Sequence, residues 1–107
     1  MDYLMGRNAM DKSYVSGYGQ RPLMNPTHRF WAHQANSAYP MVPAGVLCGG
    51  PDLALEDPYV RGIGLVGSPA QKCYVDNFQS PSTNEVAINW NTALAWVVAF
   101  IDEKFDK

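Results

Sequence analysis

The sequence predicts a mainly α-helical fold, as the closing part of a helical module larger than this chain, from three observations. Ala93 to Ile101 reads ALAWVVAFI, nine apolar residues with no polar face. A helix hydrophobic all round must be covered on every side, and this run is shorter than the roughly 20 residues a membrane span needs. All eight prolines lie between Pro22 and Pro81 and no glycine follows Gly67, so the strongest helix breakers end before that run begins. No second strong helical pattern is present to cover it, so its partners are expected outside these 107 residues.

Taken in order, residues 1–20 predict the last turns of a helix, loosened at Gly6, followed by a turn. Residues 21–81 are dense in Pro, Gly, Asn and Ser, which punctuate against long regular elements. Structureless loops beyond about 12–15 residues are uncommon in an autonomous small domain, whereas long loops over a rigid scaffold are where binding and catalytic residues concentrate. Residues 82–105 predict one continuous helix.

Composition narrows the function classes. Hydrophobic residues make up 47% and charged residues 17%, a balance too apolar for a disordered chain and too mixed for a membrane protein. A net charge of −2 with scattered Lys and Arg leaves no footprint for nucleic acid. Met1-Asp2-Tyr3 has neither the basic start nor the apolar core of a secretory leader. Cys48 and Cys73 fit no zinc spacing and no Cys-x-x-Cys pair, so two buried thiols are expected before a disulfide.

STNE, Ser82 to Glu85, has two readings. In a capping box Ser82 accepts from the amide of residue 85, and Glu85 reaches back to the amide of Ser82. The helix dipole favours an ionised carboxylate there, whereas a general acid needs a raised pKa, from burial or a like charge. Asp76 is the nearest such carboxylate in sequence. The local sequence does not decide between them.

Other motifs divide similarly. GIGLVG, Gly62 to Gly67, matches G-x-G-x-x-G, but Ser68-Pro69 follows where a dinucleotide site requires a helix, so a loop is expected. NPTHRFWAH gathers His28, Arg29, Phe30, Trp31 and His33, suited either to sugar recognition or to anchoring a loop. The two histidines lack a third ligand at metal spacing. Trp90 is by default a core residue, and Asp52, Glu56 and Asp57 read as a solvated acidic loop without calcium-loop spacing.

Together these segments resemble, in order and over nearly the whole chain, the C-terminal end of a glycoside hydrolase family 9 catalytic module, the cellulase family. DYLMGRNAMDKSYVSGYG is similar to the family's helix end and the Gly-aromatic-Gly opening of its first signature; NPTHRF stands where the family has Pro-His-His-Arg. PAGVLCGGP resembles its Gly-Gly-Pro loop, and CYVDNFQSPSTNEVAINWN its second signature. QKCYVDN, INWN and LAWVVAF lean toward the cellobiohydrolase branch.

The resemblance implies an all-α fold, the C-terminal segment of an (α/α)6 barrel, with residues 1–107 a fragment of a single catalytic domain and 82–105 its final helix. It implies an inverting β-1,4-glucanase, endoglucanase or cellobiohydrolase, secreted and acting on cellulose or cello-oligosaccharide by general acid–base catalysis. Glu85 matches the catalytic acid and Asp76 the second acidic position of that signature. Arg29 matches a residue contacting substrate hydroxyls, His28 the second His of Pro-His-His-Arg, and Trp90 an aromatic position bordering the cleaved sugar. Thr27 stands where the family has an active-site His, and Pro81 where it has an aromatic residue. No cofactor is implied for this segment; calcium belongs, if anywhere, to the full-length module. The base is an Asp from an earlier part of the module, so the rest of the catalytic domain is the implied partner and the isolated chain should not turn over. A degenerate glucan-binding fragment is the alternative.

Overall fold

The computed structural model describes residues 1–105. Helices are its regular elements: α1 (Pro58–Gly62), a 3-10 turn (Ala70–Lys72), α2 (Pro81–Asn84) and α3 (Ile88–Phe105). β structure among the described residues is limited to three isolated bridges, Val15 with Leu47, Thr27 with Glu85, and Cys48 with Val86.

α1 and α2 start for local reasons. Asp57, in extended conformation, accepts from the Val60 amide at 2.9 Å, and Pro58 supplies a preset φ at the first helical position of α1. Pro81 does the same for α2, a single turn closed by Asn84 N donating to Ser80 O at 2.8 Å. In α3, Asn91 Nδ2 and Thr92 Oγ1 both donate back to carbonyls, those of Ala87 and Ile88, and Lys104 lies in the last turn, where a cation suits the helix dipole.

Two expectations change. Residues 82–105 are not one helix: α2 ends at Asn84, Glu85 is extended at ψ 148°, and α3 begins at Ile88. The break arises because Ser82 is held by Asp57 through both its amide, at 3.2 Å, and its hydroxyl, while the backbone of Glu85 joins neighbouring segments. The helix end expected in residues 1–20 is a run of turns, with Met5 N donating to Met1 O at 3.1 Å and to Asp2 O at 3.2 Å. GIGLVG covers the end of α1 and the turns after it, as a loop was expected to.

The core forms two small clusters. Tyr14, Leu23, Cys48 and Tyr74 make one, with Tyr14 edge-on to Tyr74 at 4.9 Å; such a pair contributes about 0.5–1.5 kcal/mol beyond its burial. Leu55, Val60 and Cys73 make the other. The cysteines are free, buried thiols in different clusters, and burial pushes Cys48 up to about 11. Apart from Leu94, α3 has no buried residue, and Trp96, Val98, Phe100 and Phe105 are exposed. The radius of gyration is 14.2 Å, against about 13 Å for a compact domain of this length. The apolar helix is therefore left uncovered by the residues around it, as the sequence predicts.

Candidate active site

Glu85 is the point where the irregular segments meet. Its carbonyl accepts from Gly49 N at 2.9 Å, and the carbonyl of Asn84 before it accepts from Thr27 N at 2.9 Å. The residue is thus held between segment 27–29 and segment 47–50, and its parallel bridge with Thr27 puts the two side chains on one face. Its own side chain is exposed and caps nothing. The capping-box reading is therefore overturned: Ser80, not Ser82, precedes α2, and the Ser82 amide that Glu85 would bind donates to Asp57.

Asp76 organises the surroundings. Oδ2 accepts from Met24 N at 2.8 Å and lies 3.3 Å from Lys12 Nζ; Oδ1 accepts from Asn25 N at 2.8 Å and Asn84 Nδ2 at 3.2 Å. Both oxygens are engaged, so the carboxylate ties the approach to Thr27 to the residue preceding Glu85. Asn84 is fully buried and satisfied: it also donates to Asn25 O at 2.7 Å and accepts from Tyr74 Oη at 2.7 Å. Burial, with the neighbouring Cys48 and Asp76, pushes the Tyr74 phenol far above its ordinary range, so it serves as a fixed neutral donor.

The remaining residues stand around this frame. Thr27 Oγ1 donates to Phe78 O at 2.8 Å. His28 stacks on Trp31 with ring centroids 4.1 Å apart and interplanar angle 21°, and its Nδ1 accepts from Phe30 N at 3.3 Å. Arg29 is exposed and takes part in neither ion pair found among the described residues. His33 turns to Tyr39 O at 2.8 Å. Trp90 is not a core residue: it is 39% exposed, and its ring covers Gly49, where a Cβ would come within 3.2 Å of Cζ3. Glu85 is thus flanked by Thr27 on one side and, across Gly49, by Trp90 on the other.

Sequence reasoning missed three members of this frame. Asp57 is buried, not part of a solvated loop, and accepts from Val60 N, Ser80 Oγ, Ser82 N and Ser82 Oγ. Burial would raise its pKa, but these donors outweigh that and hold it below the usual carboxylate range. Asp57-Pro58 is itself a helix-start signal that could have revealed its first bond. Asn91 grips Leu47 through both peptide groups, at 2.9 and 3.0 Å, fixing α3 to segment 47–50. Asn84 carries no local signal. Among the described residues no group of three or more His, Cys, Asp or Glu is placed to hold a metal ion, and no helix is long and apolar enough to cross a membrane. An apolar concavity of about 660 Å³ lies away from Glu85, along α3 beside Met1, Met5 and Val15. Glu85 lines a shallower depression with Glu56, Asp57, Pro81 and Ser82.

The chain as a whole has counterparts among solved structures. The chain is similar to the structure of AaCel9A in complex with cellobiose-like isofagomine, at 40% identity and TM-score 0.82, covering 94% of this chain and 18% of that one. A single mutant of the thermostable endoglucanase from Alicyclobacillus acidocaldarius matches with TM-score 0.80 and 40% identity, over 92% of this chain and 18% of that one. The fold is all-α, a segment of the (α/α)6 barrel of such enzymes. The model of glycosyl hydrolase family 9 matches residues 1–98, and the chain belongs to that family. It is 50% identical to a cellulose 1,4-beta-cellobiosidase of Acetivibrio thermocellus over 96% of this chain, and 41% identical to endoglucanase C of Cellulomonas fimi over 97%. It spans only 12% and 10% of the length of those two relatives.

Proposed function

We propose that this chain is the acid-bearing, C-terminal part of the catalytic domain of an inverting β-1,4-glucanase, a secreted cellulase acting on cellulose or cello-oligosaccharide. The observation that carries the reading is the state of Glu85: an exposed carboxyl, free of any capping bond, on a backbone gripped from both sides. In the reaction Glu85 gives its proton to the glycosidic oxygen as the bond to the anomeric carbon breaks. Water adds to that carbon from the opposite face and loses its proton to a carboxylate base outside this chain, about 6.5–9.5 Å from the acid. Arg29 and His28 bind hydroxyls of the glucan, Trp90 offers a sugar ring an apolar face, and Asp76 orients the frame. The cellobiosidase likeness supports the lean toward that branch.

The test is Glu85→Gln in the full-length protein. Turnover of cellotetraose and carboxymethylcellulose should fall by about 10²–10⁴-fold, the usual worth of a general acid. Melting should shift by no more than about 0.5 kcal/mol, because an exposed side chain that caps nothing is removed. Wild-type turnover in that variant would overturn the assignment.

Thr27 favours the second reading, a degenerate segment that binds glucan without hydrolysing it. Its hydroxyl is engaged by Phe78 O and carries no charge. Under the enzymatic reading Thr27→His raises kcat/KM on cellotetraose; inactivity of both forms, with glucan binding retained, would establish the second.

A further inference from the structure

The structure assigns Asp57 as a positioning residue that keeps Glu85 available as an acid; the inference rests on the reading of Glu85 above. Asp57 is 6% exposed, and a buried carboxylate is strongly unfavourable unless its lone pairs are met by donors. Here they are met in a particular pattern. Oδ1 accepts from Val60 N at 2.9 Å, starting α1. Oδ2 accepts from Ser80 Oγ at 2.9 Å, from Ser82 N at 3.2 Å and from Ser82 Oγ. One carboxylate therefore holds both serines around the first turn of α2.

Of the two Ser82 groups that a capping box would use, Asp57 takes the amide outright, and it turns the hydroxyl toward itself by accepting its hydrogen. In that motif the Ser82 hydroxyl serves the amide of residue 85, and the Ser82 amide receives the Glu85 carboxylate. With Asp57 in place, Glu85 cannot close the box; α2 stops at Asn84, and the side chain of Glu85 stays exposed beside Glu56, Asp57 and Ser82. With Asp57 gone, the local sequence is free to form the box and turn the carboxylate back onto its own helix. The loop carrying Asp57 is thus a remote determinant of whether the next turn ends in an acid or a cap.

Leaving-group chemistry reads this out. Cellotetraose expels a sugar hydroxyl and needs the proton, whereas 2,4-dinitrophenyl β-cellobioside expels a stable phenolate and does not. In the full-length protein, Asp57→Asn should lower kcat on cellotetraose by about 10–100-fold at nearly unchanged KM, as expected for a misplaced catalytic group. Its kcat on the dinitrophenyl substrate should stay within about threefold of wild type, since that step runs without acid assistance. Should Asp57→Asn not fold, Ser80→Ala, which leaves Asp57 three donors but loosens Oδ2 beside an intact Ser82, carries the test with a selective loss of at least about threefold. Glu85→Gln is the control. If it shows the selective loss and the Asp57 or Ser80 variant loses both substrates equally, or neither, the role of Asp57 fails alone. If Glu85→Gln itself turns over cellotetraose normally, the acid reading fails and the role of Asp57 with it.

Discussion

At the scale of single residues, Asp76 shows how a carboxylate can be engaged at both oxygens by its own fold. Its four donors come from Lys12, the 24–25 backbone and Asn84, so its charge is committed to holding those segments together. Asp76→Ala would leave two backbone amides, an ammonium group and one N–H of the Asn84 side chain without their partner. An unsatisfied buried donor costs about 1–3 kcal/mol; Asn84 is fully buried, whereas Met24 is exposed and Lys12 keeps Arg21 O as acceptor, so a total of about 2–4 kcal/mol is expected. Denaturant melts of the full-length protein should show it as a lower midpoint at unchanged slope. Unchanged stability with lost activity would instead put Asp76 in contact with the sugar. Of this cluster the sequence singled out Asp76 and Glu85 through their family resemblance, while Asn84 and the bonds of Asp57 stayed hidden. The reason is distance along the chain: Asn84 bonds to Asn25 across 59 residues and Ser82 to Asp57 across 25. Local patterns such as S-x-x-E report only on neighbours a few residues apart, and there the capping box is a sound rule that a remote competitor defeats.

At the scale of elements, the interruption between α2 and α3 is the feature with most consequence. Nothing in Glu85-Val86-Ala87 breaks a helix by propensity, which is why residues 82–105 read as continuous. The break depends on partners on three sides: Asp57 on Ser82, Thr27 beside Glu85, and Cys48 and Asn91 at the start of α3. It is also sensitive to pH in a direction that can be worked out. The folded pKa of Asp57 lies below its unfolded value, which is about 3.9. Its stabilising contribution is therefore complete above that unfolded value and is lost as pH falls through the folded one. Asp57→Asn removes the contribution, so the stability gap between wild type and variant should be widest near neutrality and narrow below about pH 4. Chemical denaturation between pH 7 and pH 2 measures it; a gap that stays constant on acidification would mean Asp57 is not ionised in the fold.

At the scale of the whole molecule, α3 sets the terms. Trp96, Val98, Phe100 and Phe105 are 71, 45, 45 and 77% exposed, on a helix with only one buried residue. Fully burying each such side chain stabilises by about 1.5–3 kcal/mol. Scaled by those exposures, the gain still open is roughly 4–7 kcal/mol, a large part of the whole stability of a typical domain, about 5–15 kcal/mol. Two small clusters cannot offset that loss, and the bridges and turns around Glu85 add order without apolar burial. This is the physical content of the apolar run that first pointed to a larger helical module, and it agrees with the small share of each relative that the chain spans. On the proposed reading, the 107 residues alone should neither hydrolyse cellotetraose nor remain monomeric. Sedimentation should show association through α3, and Trp96→Glu with Phe100→Lys should reduce it by placing charges on the uncovered surface. Expressed together with the preceding part of the module, the unsubstituted chain should become soluble and active, because the same apolar surface then has its partners. A soluble, cooperatively melting monomer of the unsubstituted chain would contradict this: the exposed side chains of α3 would then be tolerated in water and would need no barrel around them.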